Sequence, residues 1–231
     1  MRYDQTLANN KPFNQNYVAI QVGWRNAFHQ AGRAAAVHLG NRAKHLPEVH
    51  FQITLSPDAG ETRHPNKTKN NPTHYTAQLE GGRLIQDLPM AIDQLARELP
   101  PQDQAPFRMA LEADLINLLA GPLAEAKYVA MCNNEEFNAS LAYLNELKLY
   151  GGSTVLELVE QYAEWLVTDP SRRNQKLAEL FLAAYSFINQ PANWDAITQV
   201  ASYICNQTRE IIPCEDLILY LESLHVGSSG H

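Results

Sequence analysis

The sequence predicts a mainly α-helical fold with a small β element, an α+β class, and two observations carry this prediction. Apolar residues recur at helical spacing over the last two thirds of the chain, whereas one stretch, Val49–Leu55, alternates apolar and polar residues as a half-buried strand does. The 231 residues, 45% of them hydrophobic, suffice for one large domain. We assign this domain to residues 1–225 and predict a flexible tail at 226–231.

The first strong element is a helix from Gly23 or Trp24 to Leu39, and Gly40 is placed to end it. The strand Val49–Leu55 follows. Residues 56–78 are rich in Pro, Asn, Asp, Gly and Lys, which predicts a long polar loop.

The later helices are delimited by proline, glycine and capping residues. One break is predicted at Gly121-Pro122. The predicted segments are Asp87–Leu99, Gln104–Leu119, Leu123–Met131, Ser140–Leu149, Ser153 or Thr154–Val167, Arg172–Ile188, Trp194–Asn206 and Cys214–His225.

Composition excludes several classes of function. A net charge of −7 without a Lys/Arg patch argues against nucleic-acid binding. The chain has no apolar run long enough for a membrane span or a leader peptide, and no phosphate-binding loop for ATP. Its three cysteines lack C-x-x-C spacing, so we expect neither a disulfide framework nor a cysteine zinc site, and a reduced, cytoplasmic compartment.

Residues 27–35 follow the spacing of a zinc-peptidase helix but lack its general base and its second zinc ligand. In H-E-x-x-H, two histidines one turn apart hold zinc and the glutamate is the general base. Here His29 occupies the first ligand position. Gln30, whose amide does not accept a proton near neutral pH, occupies the base position, and Arg33, a permanent cation, occupies the second ligand position.

This segment resembles the A-x-H-E-A-G-H-A-hydrophobic signature of the FtsH-type peptidase domain, including the small Ala31-Gly32 pair. Residues 118–125 (Leu-Leu-Ala-Gly-Pro-Leu-Ala-Glu) resemble the second block of that family, a Leu-rich helix interrupted at Gly-Gly or Gly-Pro before Ala-Glu. Residues 151–155 (Gly-Gly-Ser-Thr-Val) resemble its G-A-x-N-D segment, which supplies the third zinc ligand. The three blocks occur in the family's order.

The resemblance implies a zincin-like helical domain with the small β element near the first motif helix. It also implies that the third ligand position is Val155, an aliphatic residue that binds no metal. It places Glu125 near the motif. Because a buried guanidinium needs carboxylate or carbonyl partners, we expect Arg33 to pair with Glu125 first or Glu157 second. The alternative is that Arg33 points outward without a partner.

We therefore expect a catalytically inactive zinc-metallopeptidase homologue without a bound cofactor. Its predicted role is a scaffold, or a module that binds an unknown protein or peptide in the former substrate groove beside the strand Val49–Leu55. The alternative is a working zinc peptidase with rearranged ligands around His29, and a small-molecule binder is a third possibility. The histidines open to such a rearrangement are His45, His50, His64 and His74.

Overall fold

The computed structural model describes residues 20–58, 74–85, 101–139, 146–150 and 153–227, which are mostly helical and contain one four-stranded sheet. This confirms the mainly α, α+β class. The predicted helix Asp87–Leu99, residues 59–73 of the predicted loop and most of the predicted tail lie outside these ranges. No helix within them is both long and apolar enough to cross a membrane.

The sheet has the strand order β1-β3-β2-β4. Strand β1 pairs with β3 in parallel, and β2 pairs antiparallel with β3 on one side and with β4 on the other. The strands are β1 (Gln21–Val22), β2 (Phe51–Pro57), β3 (His74–Gly81) and β4 (Ile211–Pro213). The described helices are α1 (Trp24–Ala35), α2 (Asn41–Ala43), α3 (Pro101–Cys132), α4 (Ser153–Leu166), α5 (Pro170–Asn189), α6 (Pro191–Cys205) and α7 (Cys214–Gly227).

The predicted loop 56–78 is wrong at both ends, because β2 continues to Pro57 and β3 begins at His74. Tyr75, Ala77 and Leu79 alternate with polar residues in β3, and Ala77 and Leu79 are buried. This strand signal was missed because it directly follows the polar stretch that predicts the loop. The strand pairs with β2 along the whole length of β2.

The predicted end of the first helix is also wrong. Gly40 does not end the first helix: its backbone is helical (φ −67°, ψ −42°), and a π-helical turn at Ala36–Gly40 leads into α2. The left-handed residue that ends the helix is His45 (φ 55°). The amides of His45 and Leu46 bond to the carbonyls of Arg42 and Asn41, a Schellman motif.

Helix α3 runs unbroken through Gly121-Pro122, contrary to the predicted break. An interior proline costs about 3 kcal/mol. Leu118, Leu119 and Leu123 are buried on both sides of it, and each contributes about 1.5–3 kcal/mol by burial. Tertiary packing therefore outweighs the local helix-breaking signal.

The late helices follow the sequence signals more closely. The Asp169 side chain caps α5 by accepting the Arg172 amide at 2.8 Å, and Pro170 and Pro191 occupy first-turn positions of α5 and α6. Helix α7 extends to Gly227, so the first two residues of the predicted tail are helical. Of the predicted helix Ser140–Leu149, residues 140–145 lie outside the described residues, and Glu146–Leu149 form a 3-10 turn.

Helix α1 lies at the centre of the core, packed against α3, α6 and β3. The Phe28 ring stacks on Tyr128 of α3 and Trp194 of α6, with centroid distances of 4.4 and 5.4 Å. The buried apolar side chains of the helices and the sheet form one contiguous cluster. Residues 27–35 therefore lie on a helix that is enclosed by the core, with eight of its twelve residues buried.

Candidate functional site: the degenerate motif helix

The first two sequence blocks meet at the crossing of α1 and α3. A Cβ added to Gly32 would lie 2.5 Å from Ala124 Cβ and 2.6 Å from the Ala120 carbonyl oxygen. A Cβ added to Gly121 would lie 2.8 Å from Arg33 Cγ. Glycine at both positions lets the two backbones approach more closely than any side chain allows.

His29 is buried at this crossing and bonds to Glu125. The His29 Nδ1 lies 3.1 Å from Glu125 Oε2, and both side chains are almost fully enclosed. The Arg25 guanidinium bonds to the other carboxylate oxygen of Glu125, at 2.9 and 3.0 Å. The Cδ2–Nε2 edge of the His29 ring lies against Gly121, where an added Cβ would be 2.9 Å from both atoms. The ring is thus held by α3 along two of its sides.

Glu125 lies next to the motif, as the resemblance implies, but it does not pair with Arg33. Among the described residues, no carboxylate lies within salt-bridge distance of the Arg33 guanidinium. The second candidate, Glu157, is exposed on α4. The predicted ion pair is therefore wrong, because Glu125 is already bound by His29, one turn before Arg33 on α1, and by Arg25, two turns before it.

The second and third polar residues of the motif bind the backbone of β3. The Gln30 side chain is buried, and its Oε1 accepts the Leu79 amide at 3.0 Å. Arg33 Nη1 donates to the Leu79 carbonyl at 3.4 Å. One turn before Gln30, Asn26 accepts the Ala77 amide at 2.6 Å and donates to the Ala77 carbonyl at 3.1 Å.

These contacts close an open edge of the sheet. The short β1 pairs with β3 only at His74 and Tyr75, so no strand of the described residues lies beside the β3 backbone beyond them on that side. Asn26, Gln30 and Arg33 are spaced at i, i+4 and i+7 and share one face of α1. Their side chains bond to amide and carbonyl groups of β3 that would otherwise be open to pairing with another strand. Helix α1 therefore caps β3.

Arg33 remains a cation in this setting. Burial lowers the pKa of Arg33 to about 10, and the charge of nearby Arg83 acts in the same direction. A pKa of about 10 keeps the guanidinium protonated at neutral pH. It therefore offers hydrogen-bond donors and no metal-binding lone pair.

Val155, from the third sequence block, lies in surroundings that differ from those of His29 and Arg33. Helix α4, which carries Val155, packs mainly on α3 and α5, whereas the main neighbours of α1 are α3, α6 and β3. Val155 is half-buried and packs against the apolar core. The role of Val155 as a former ligand position remains an expectation from the sequence.

The strand predicted to edge a substrate groove is an interior strand. β2 pairs with β3 on one side and with β4 at Gln52–Thr54 on the other, and the Leu55 amide donates to the Glu210 carbonyl at 2.6 Å. The concave surface lies instead at the entry to β2. A cavity of about 410 Å³ there is lined by Val37, His38, Asn41, Arg42, His45, Leu46, Pro47, Glu48, Val49, Phe51, Ile218 and Glu222.

The other histidines do not gather around His29. His45 ends a helix, and His74 begins β3, while His64 lies outside the described residues. In the described ranges, the three-residue group of metal-ligating side chains contains His50 with Cys214 and Glu215, and not His29.

Asp114 is a buried acid that the sequence analysis did not single out. It is fully enclosed on α3 and accepts the amides of Leu84 and Ile85 at 2.8 and 2.9 Å. Burial raises the pKa of Asp114 to about 6, against the opposing effects of these two hydrogen bonds and of Arg83. Only the segment that follows β3, placed by tertiary contacts, gives Asp114 its partners, so no local pattern marks it.

Comparisons of the chain with protein-family models, curated proteins and solved structures found no match.

Proposed function

We propose that this protein is a non-catalytic relative of the FtsH-type zinc peptidase domain that acts as a scaffold or as a module that binds a peptide or protein segment. The non-catalytic part of the proposal rests on one observation, the hydrogen bonds that Gln30 and Arg33 make to β3. Both hold the backbone of Leu79 at the positions where a peptidase has its base and second zinc ligand.

The surroundings of His29 support the same proposal. Its Nδ1 is bonded to Glu125 and its Nε2 edge lies against Gly121. A catalytic zinc needs three protein ligands and an open position for water. One enclosed histidine beside a guanidinium supplies neither the ligands nor the space.

The cavity at the entry to β2 supports the binding role. Its lining combines apolar side chains, among them Val49 and Ile218, with charged groups such as Glu48. A volume of about 410 Å³ accommodates one or two side chains of a bound segment. The Arg42 and Glu222 side chains, which pair at 3.6 Å, line the same cavity and add polar contacts for the peptide backbone.

The non-catalytic part is tested by peptidase assays and zinc analysis of the wild type and His29→Gln. We expect no zinc-dependent peptide hydrolysis and no difference in zinc content between the two proteins. Hydrolysis that requires zinc and disappears in His29→Gln would instead establish the working peptidase with rearranged ligands.

The binding part is tested by selecting peptides from a displayed random library on the full chain. Selected peptides should bind Ile218→Trp, whose indole enters the cavity, at least tenfold more weakly than the wild type. The matched control is Leu219→Trp on the same helix, because Leu219 is 66% exposed and does not line the cavity. If no peptide is enriched, or if both variants bind equally well, the binding proposal fails.

A further inference from the structure

Three metal-ligating side chains meet where β2 and α7 begin. His50 directly precedes β2, and Cys214 and Glu215 are the first two residues of α7. A ring nitrogen of His50, the Cys214 sulfur and a Glu215 carboxylate oxygen all lie within 4.8 Å of one another. We propose that these three residues bind a zinc-type transition-metal ion.

The backbone fixes this juxtaposition. In the antiparallel pair of β2 and β4, Gln52 lies opposite Pro213. Continued by one residue in each segment, the same register places Phe51 beside Cys214. Continued by two residues, it places His50 beside Glu215. The ligands therefore come from two chain segments that a hydrogen-bonded sheet already holds together.

The donor set selects the class of metal. Magnesium and calcium take oxygen ligands, whereas a thiolate with an imidazole and a carboxylate is typical of zinc. Ligand atoms around a tetrahedral zinc with bonds of about 2.0–2.3 Å lie roughly 3.3–3.7 Å apart. The exposed side chains of His50 and Glu215 need to move by about 1 Å to reach this spacing, and one position stays open for water.

The sulfur of Cys214 lies in a buried position between β2 and Glu215. The residue is 5% exposed, and its sulfur accepts a hydrogen bond from the Phe51 amide and contacts the Glu215 carboxylate. Burial and this carboxylate raise the pKa of Cys214, so a bound metal ion must displace the thiol proton. Cys214 also stands at the N-terminus of a 14-residue helix, whose dipole favours negative charge. Among the described residues, neither Cys132 nor Cys205 belongs to such a three-ligand group.

The site is tested by titrating the full chain with Co²⁺, which reports thiolate ligation by a charge-transfer band, and by competing the Co²⁺ with Zn²⁺. We expect one Co²⁺ per chain and displacement by Zn²⁺. His50→Ala and Glu215→Gln should each weaken binding at least tenfold, and Cys214→Ser should remove the band. The controls are Glu160→Gln, an exposed glutamate of α4, and Cys205→Ser, and both should leave the titration unchanged.

His50 and Glu215 are exposed, so their variants keep the fold even if Cys214→Ser does not. The proposal is overturned if Co²⁺ gives no thiolate band. It is also overturned if His50→Ala and Glu215→Gln bind as tightly as the wild type, or if the band depends on Cys205. The His29→Gln variant separates this site from the peptidase position, because the site proposed here does not include His29.

Discussion

Adding one methyl group at the crossing of α1 and α3 tests the close approach that places His29 beside Glu125. In Gly32→Ala, the new Cβ would lie 2.5 Å from Ala124 Cβ and 2.6 Å from the Ala120 carbonyl oxygen. Carbon atoms pack best at about 3.5–4 Å, so the helices must separate by roughly 1 Å. The obstacle includes backbone, which does not rotate away as a side chain does.

The magnitude follows from two opposing effects. Overpacking of this kind costs about 1–3 kcal/mol and occasionally more, whereas alanine gains up to about 1 kcal/mol over glycine in a helix. Because backbone blocks the methyl group, the overpacking cost should lie near the upper end of its range, and we expect a net loss of about 2 kcal/mol. The matched control is Gly40→Ala in the same continuous helical segment. Its Cβ would meet Asn117 and Phe187 at 3.7 and 3.9 Å, ordinary contacts, so we expect a gain of about 0.5–1 kcal/mol.

The assay is urea denaturation of both variants and the wild type, followed by far-UV circular dichroism. The midpoint should fall for Gly32→Ala and rise slightly for Gly40→Ala at an unchanged slope. Thermal midpoints should separate in the same order, at about 2–4 °C per kcal/mol for a chain of this size. Equal stability of the two variants would refute the close crossing of α1 and α3.

Two further predictions concern the buried polar contacts. Gln30→Leu leaves the Leu79 amide without its acceptor and should destabilise the folded protein by about 1–3 kcal/mol. Site-resolved hydrogen exchange should show faster exchange at that amide. Unchanged protection of the amide would contradict the role of Gln30. The pKa of Asp114, raised to about 6, lies above that of an unfolded aspartate, so the folded chain holds a proton that the unfolded chain has lost between pH about 4 and 6. The free energy of unfolding should therefore fall through this window as pH rises, by at most about 3 kcal/mol from this group. Denaturation of the wild type and Asp114→Asn between pH 4.5 and 7 measures this pH dependence. If the free energy of unfolding changes with pH equally in both proteins, the Asp114 carboxyl is excluded as its cause.

The sequence by itself determined the elements whose signals are local. The helical spacing around the motif predicts α1, and the alternation in Val49–Leu55 predicts most of β2. Pro191 marks the entrance to α6, since proline fits the first turn of a helix without losing a helical hydrogen bond. The chemistry of Gln30 and Arg33 likewise follows from residue type alone: neither is a base or a metal ligand.

Tertiary structure decided what those side chains contact. Arg25, His29 and Arg33 lie one turn apart on the same face of α1, so each was a possible partner for Glu125. A displacement of one turn, about 5.4 Å, exchanges one for another. The sequence does not encode this displacement locally, because the Gly32 contact between helices distant in sequence sets it. The partners of β3 are likewise set by tertiary structure: its sequence alternates as a strand does, but only the fold places β2 on one edge of it and α1 on the other.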